Sequence, residues 1–381
     1  MRLFFRTLSV SLLLLLASAL PVRAFYMSAP YVMEGGKMYV RATVGGQTGK
    51  FLLDTGAPCS LTADFARRAG VSGGQTQRFW DSNGQPVTVR VAMLDRLVLG
   101  GFSFMQLQAM VLPEGNPLEM FGVDGIIGVN LMAQGVTKFD GSRRLFILTD
   151  ERDSLSLDYN YCTEMLLDGG APMLPVRVGT QVDTVMFDSG ADALYEMSAS
   201  TYRRLAADTA SVRLLAQGVG TLSAGAAGVE EMSQKWRLLL PKFYVGAAPF
   251  ARVTTITTDA PDSRIGSALL GYGDVVLDFE EGFFYFLPRD AASVPDAYTP
   301  EWNAVLTVLD GRIVAGMVWD ARPDGIQSGD PIVAIGSRRL TEADARAALT
   351  TGLPGLDPSG TAVTYLDRRT GQERAAVLRM E

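Results

Sequence analysis

The sequence predicts a mainly β protein: two similar lobes, each a closed or strongly curved antiparallel sheet, followed by a small α/β unit. Three observations predict it. Strand-like runs separated by glycine turns fill most of the chain. One device, an apolar run into Asp, a hydroxyl residue, Gly and Ala, occurs at Phe51–Ala57 and again at Val185–Ala191. Beyond about Pro295 the composition changes.

Bulk properties set the bounds. The 381 residues are 48% hydrophobic and 20% charged, an ordinary globular balance with ample core. That length suits two or three domains. A formal charge of −7 argues against a nucleic-acid partner, which needs a basic surface. Histidine is absent, which excludes Ser–His and Cys–His nucleophilic machinery and His-ligated zinc. No GxxxxGK[ST] phosphate loop is present. No metal and no cofactor are expected, so any catalysis must run on carboxylates, Lys, Tyr, Ser or Cys.

The first 24 residues read as a signal peptide. Arg2 and Arg6 are its charged part, Leu8–Leu16 its apolar part and Val22-Arg23-Ala24 its small-residue cleavage site. The apolar run is short for a membrane span, and an uncleaved anchor is the lesser alternative. Cleavage after Ala24 removes three Arg and takes the charge to −10 (−7 − 3). No later segment is long and apolar enough to span a bilayer. The expectation is an exported protein of the periplasm, cell envelope or medium.

Lobe 1, residues 25–152, opens with a hairpin of Met38–Val44 and Lys50–Leu53 across Gly45-Gly46. The buried run then delivers Asp54 to a sharp turn. Ionisation there is expensive unless a partner takes up the charge. Thr62–Gly70 reads as a short helix with Thr62 as N-cap and Gly70 as stop. Asn83-Gly84 is a two-residue hairpin turn just after Trp80. It is either a piece of sheet or a flap over a cleft. Its place after an Asp turn favours the flap, so Trp80, Asn83 and Gly84 are candidate substrate contacts. Leu97–Leu99 and Met105–Leu112 are strand-like, and Ile126-Ile127-Gly128 reads as a buried strand crossed closely by another segment. Val136–Leu148 is a closing hairpin.

Thr149–Ala171 is polar and reads as the connection, and lobe 2, residues 153–292, repeats the order. Met173–Val178 and Val182–Phe187 form a hairpin into Asp188. Ser198–Ala207 is a helix, and Gly218–Gly228 takes the place of the flap. Trp236–Leu240, Lys242–Val245 and Ala251–Ile256 are strands. Ala268-Leu269-Leu270-Gly271 and the hairpin Val275–Leu287 close the lobe. The Asp turns lie 134 positions apart (188 − 54), the apolar-Gly motifs 143 (271 − 128) and Asp140 and Asp278 138. Constant order at near-constant spacing indicates duplication.

Residues 298–381 form the third unit. Ala304–Val308 and Arg312–Val318 flank a turn at Asp310-Gly311, Pro323–Gly336 leads into a helix at Glu342–Leu349, and Thr361–Leu366 and Arg374–Leu378 close it. Two cysteines, Cys59 and Cys162, permit one disulfide in an exported protein, with buried free thiols as the simpler reading.

A hydrophobic-Asp-[Thr/Ser]-Gly-Ala motif followed by hydrophobic-hydrophobic-Gly, both repeated once, resembles the aspartic proteases over about residues 30–290. The motifs look like the retropepsin-like lobe, and the single-chain layout is similar to pepsin. The resemblance implies that Asp54 and Asp188 are a catalytic dyad. It also implies that Thr55 and Ser189 hydrogen-bond across the two loops, that Gly56 and Gly190 offer N–H groups and room, and that both apolar-Gly motifs pack behind as support. Trp80 stands near where a pepsin-like flap carries a Tyr. The physics fits independently: two facing carboxylates cannot both ionise cheaply, so they share a proton, one serving as base and the other as acid. Asp324–Gly336 resembles a PDZ domain of the kind attached to bacterial envelope proteases, which implies capture of a peptide C-terminus. The Gly-flanked carboxylate loop of such domains is not evident near Asn303–Leu306.

The function expected is therefore an exported aspartic endopeptidase acting on peptides or proteins. The alternative is a catalytically inactive peptide-binding or scaffolding protein of the cell envelope.

Overall fold

Alternating apolar residues settle into strands from Tyr26 onward. The computed structural model describes residues 25–80, 86–222, 224–225, 228–350, 353 and 355–381. The first half contains β1 (Tyr26–Pro30), β2 (Val32–Glu34), β3 (Lys37–Val44), β4 (Gln47–Asp54), β5 (Ser60–Leu61), α1 (Ala63–Arg68), β6 (Gln75–Trp80), β7 (Pro86–Leu99) and β8 (Phe102–Val111). It ends with α2 (Pro117–Met120), β9 (Gly125–Gly128), α3 (Val129–Met132), β10 (Val136–Asp140) and β11 (Leu145–Thr149). The order β2-β3-β4-β9-β5-β8-β7-β6 closes on itself because β3 also pairs β7, at Ala42↔Leu99. Closure covers β4 on both faces, which is why Phe51, Leu52 and Leu53 are all buried instead of alternating. Thr62 caps α1 by accepting from the Phe65 N–H.

The second half holds β12 (Cys162–Glu164), β13 (Leu166–Asp168), β14 (Ala171–Val178), β15 (Gln181–Phe187), β16 (Met197–Ser198), α4 (Ala199–Leu205) and β17 (Arg213–Gly220). After it come β18 (Ala224–Gly225), β19 (Gly228–Val229), β20 (Ser233–Val245), β21 (Ala248–Thr258), β22 (Ser263–Ile265), β23 (Gly273–Asp278) and β24 (Phe283–Pro288). Its pairings repeat those of the first half: β14 with β15 and β20, β15 parallel to β22, β16 parallel to β21, and β17 with β20. The segment 149–171, expected to be a plain connection, carries β12 and β13. Cys162 on β12 lies opposite Tyr285, so the segment serves as an edge strand.

A six-stranded sheet joins the halves in the order β1-β11-β10-β23-β24-β12, with β10 and β23 paired across the junction. One hydrophobic core runs through both halves. Phe187, just before Asp188, packs on Phe139 of the first half and Phe284 of the second, with ring centroids 6.0 and 5.4 Å away. The strand end that delivers Asp188 is thus anchored from both sides.

The C-terminal stretch comprises β25 (Ala304–Leu309), β26 (Arg312–Val318), β27 (Ile332–Ile335), β28 (Arg338–Arg339), α5 (Glu342–Thr350), β29 (Thr361–Asp367) and β30 (Gln372–Leu378). It builds a second core around Ile313, Ala315, Ile335, Val363 and Tyr365. Its β26 pairs with β17, at Gly220↔Met317. A Cβ on Gly220 would lie 2.3 Å from the Gly316 carbonyl oxygen, so the two backbones can meet only at a glycine. Gly218–Gly220, expected to belong to a flap of the second half, is instead covered by this strand. Among the described residues no helix is long and apolar enough to cross a membrane.

Candidate functional site

Each half brings an Asp to the end of a strand that runs parallel to a short buried strand. Asp54 lies opposite Gly128 in the β4–β9 pair, and Phe187 lies opposite Ile265 in the β15–β22 pair. The chain after each Asp turn crosses that short strand at a glycine. A Cβ on Gly128 would lie 2.3 Å from the Ala57 carbonyl oxygen, and one on Gly266 would lie 2.4 Å from that of Ala193. The next residue donates in both halves: Val129 N–H to the Ala57 oxygen and Ser267 N–H to that of Ala191, each at 2.9 Å.

This corrects one sequence assignment. The counterpart of Ile126-Ile127-Gly128 is Arg264-Ile265-Gly266, not Ala268-Leu269-Leu270-Gly271. Ser267–Gly271 is a helical turn that matches α3. The corrected spacing is 138 (266 − 128), the same as that of Asp140 and Asp278. An arginine where the first half has an isoleucine hid the motif.

The loops are locked by reciprocal hydrogen bonds. Thr55 N–H donates to Ser189 Oγ at 3.0 Å and Ser189 N–H to Thr55 Oγ1 at 2.9 Å. Each hydroxyl then donates onward into the other half, Thr55 to the Phe187 carbonyl at 2.5 Å and Ser189 to that of Leu53 at 3.0 Å. Both residues are fully buried, so breaking these bonds leaves backbone groups with no water to turn to.

The lock sets the carboxyls against one another, and Asp54 and Asp188 share a hydrogen bond. Gly56 and Gly190 leave room for this. A Cβ on Gly56 would lie 2.8 Å from Asp188 Cγ, and one on Gly190 would lie 2.6 Å from Asp54 Cγ. Gly56 N–H donates to Asp54 Oδ1 at 2.8 Å. Asp188 Oδ1 accepts from both Gly190 and Ala191, at 2.9 and 3.2 Å. Burial above all, and then the charge of Asp188, push the Asp54 carboxyl up to about 8. The Asp54–Asp188 pair therefore keeps one proton through the acid range into neutrality.

Three charged residues that the sequence reading did not single out stand around Asp188. Arg264 Nη1 lies 3.6 Å from Asp188 Oδ2, with both side chains buried. Lys37, at the start of β3, reaches across the junction to donate to the Gly190 carbonyl at 2.7 Å. Glu196 exchanges backbone hydrogen bonds with Arg264, and burial raises its carboxyl. The signal was present in the sequence as an Arg at the motif position once the second spacing is taken as 138.

Of the other candidates, Trp80 ends β6 and is paired with Pro86, while Asn83 and Gly84 lie outside the described residues. The possible disulfide does not form, since both cysteines are free. Cys59 is buried beside the Asp54 turn, where its sulfur accepts from Gly128 N–H at 3.2 Å. Cys162 sits on the edge strand of the inter-half sheet. Burial pushes the Cys59 thiol up to about 12, so it is not a nucleophile.

Residues 40–131, a minority of the chain that includes Asp54 and Gly128, match the family model described as aspartyl protease. No curated protein matches the sequence. The crystal structure of Basic 7S globulin from soybean is 11% identical and aligns over 69% of this chain and 95% of that one, with a TM-score of 0.42. That of a retropepsin-like aspartic protease from Rickettsia conorii is 21% identical over 33% of this chain and 91% of that one, with a TM-score of 0.25.

Proposed function

We propose that this protein is an exported aspartic-type endopeptidase, a hydrolase of peptide bonds with Asp54 and Asp188 as its catalytic pair. One observation carries the reading. Two carboxyls from separate halves are held in contact by reciprocal buried hydrogen bonds, and one of them retains its proton far above the usual carboxylate range.

In the singly ionised pair the charged carboxylate takes a proton from a water, whose oxygen bonds to the carbonyl carbon of the substrate. The protonated carboxyl gives its proton to the carbonyl oxygen. When the tetrahedral diol collapses, one of its hydroxyls returns a proton to the ionised carboxylate, the other carboxyl gives its proton to the leaving nitrogen, and the C–N bond breaks, so the pair again holds one proton. Thr55 and Ser189 fix the two loops, and Gly56 and Gly190 admit the close approach. The reading includes a secretion signal at residues 1–24, a location in the periplasm, envelope or medium, and a PDZ-like unit at 298–381 that either takes a peptide C-terminus or serves as a structural cap on the protease.

The test is hydrolysis of a peptide library by the purified protein beside Asp54→Asn and Asp188→Asn. Wild type is expected to cleave from the acid range into neutrality and to lose activity as pH rises past about 8, and both variants to fall at least 1,000-fold, on the order expected when acid–base catalysis is removed. Equal rates in all three would sink the proposal. Tight binding of peptides that stay uncut across the pH range would favour a binding protein instead.

A further inference from the structure

The two halves match closely enough for residues around the two carboxyls to be compared one by one, and the comparison is uneven. Arg264 occupies the position of Ile126 (264 − 126 gives the same 138 spacing). Lys37 follows the Gly35-Gly36 turn, and its mate after Gly169-Gly170 is Ala171. Both hairpins extend their tips to the opposite half. Ser267 Oγ donates to the Gly36 carbonyl, and a Cβ on Gly170 would stand 4.0 Å from Val129 Cγ1. The Asp188 loop thus meets two cations, whereas the matching positions of the other half hold an isoleucine and an alanine. Ile126 belongs to an apolar cluster with Tyr39, Leu52 and Val123.

We infer that Arg264 sets the order of ionisation in the pair, holding Asp188 as the charged carboxylate and leaving the proton on Asp54. The hydrogen bonds agree, because Asp188 accepts from two backbone N–H groups and Asp54 from one. Donors that face an ionised oxygen favour the charged form. Other charges face the same carboxyl. Lys37 holds the Gly190 carbonyl, and its charge favours the ionised form of Asp54, so it works against the order that Arg264 sets. Glu196 also opposes Arg264, and Asp192 bears on Glu196. Burial raises Glu196, so as pH falls its opposing charge is lost sooner than that of an ordinary carboxylate. Arg264 is then a positioning residue: it acts through Asp188 and makes that residue the base that takes the proton of water, with Asp54 as the acid. The inference rests on the dyad reading above for its place in catalysis, but its test does not depend on turnover.

The experiment is a carbon-13 NMR titration of the full chain labelled at Asp carboxyls, with Asp54→Asn and Asp188→Asn used only for assignment. Wild type should show Asp188 ionising at lower pH than Asp54. Arg264→Gln should raise the Asp188 midpoint by about one pH unit, a roughly tenfold change in proton affinity, and Arg264→Lys should restore most of it. In a cleavage assay the acid limb of kcat/KM should move up by the same amount, with KM nearly unchanged. If Gln at this position prevents folding, Arg264→Met, long and uncharged, takes its place. An Asp188 midpoint that stays put in the uncharged variant, or Asp54 ionising first in wild type, overturns the inference. The expected titration in a protein that cleaves nothing would leave the inference standing and remove the protease reading.

Discussion

Thr55→Val tests the lock beneath the two carboxyls. The substitution keeps the side-chain shape and replaces Oγ1 by a methyl, so it opens no cavity. Two hydrogen bonds are lost, from Ser189 N–H at 2.9 Å and to the Phe187 carbonyl at 2.5 Å. Both orphaned groups lie in a fully buried environment. Each buried backbone group without a partner costs about 1–3 kcal/mol, and the added methyl returns about 0.8 kcal/mol. The net loss is about 1–5 kcal/mol. Ser189→Ala removes the other two bonds of the same lattice, and the double variant is expected to lose less than the sum. Once the loops part, the remaining bonds have no geometry to keep, which gives a coupling of about 1–2 kcal/mol. Urea unfolding followed by circular dichroism measures the stabilities. Cleavage rates should fall by about 100-fold even where the protein is folded, because a displacement near 1 Å at reacting groups costs that much. A Thr55→Val protein within about 0.5 kcal/mol of wild type and equally active would refute the reasoning that these bonds hold the site.

Other outcomes follow from the same geometry. Gly190→Ala should cost about 1–3 kcal/mol by overpacking and abolish most activity, since its Cβ would sit 2.6 Å from Asp54 Cγ; full activity in a stable variant would contradict the placement. Asp54 has its folded-state carboxyl raised above the unfolded value, so the stability it contributes is present below about pH 4 and is lost as pH rises through about 8. Asp54→Asn should therefore gain on wild type in melting temperature at pH 9 relative to pH 4, and a pH-independent difference would count against the raised carboxyl. Alkylation of the denatured, unreduced protein should label both Cys59 and Cys162; a mass showing neither labelled would restore the disulfide.

Much of this fold was legible because its signals are local. Asp54 and Asp188 each stand where an apolar strand meets a Gly turn, and burial with turn chemistry needs only neighbouring residues to be read. The cap at Thr62, with Oγ1 accepting from Phe65 N–H, was legible for the same reason, while Ser198, read as the first helical residue, is the N-cap that accepts from Thr201 N–H. Expectations failed where a partner distant in the chain decided the outcome. Segment 149–171 looked like a connection because β12 has no strand character apart from Tyr285 and its neighbours. Gly218–Gly220 looked like a flap because nothing local announces β26.

By itself the sequence determined that two carboxylates lie at matched strand ends in a duplicated β chain without histidine. Tertiary structure alone decided that they touch and that their surroundings differ. Contact depends on four hydrogen bonds between residues about 130 positions apart. The asymmetry comes from Arg264 and Lys37, whose charges act over ångströms in space and leave no periodicity in sequence. An arginine in a strand reads as a break in an apolar pattern until the carboxylate 3.6 Å away shows why it is there.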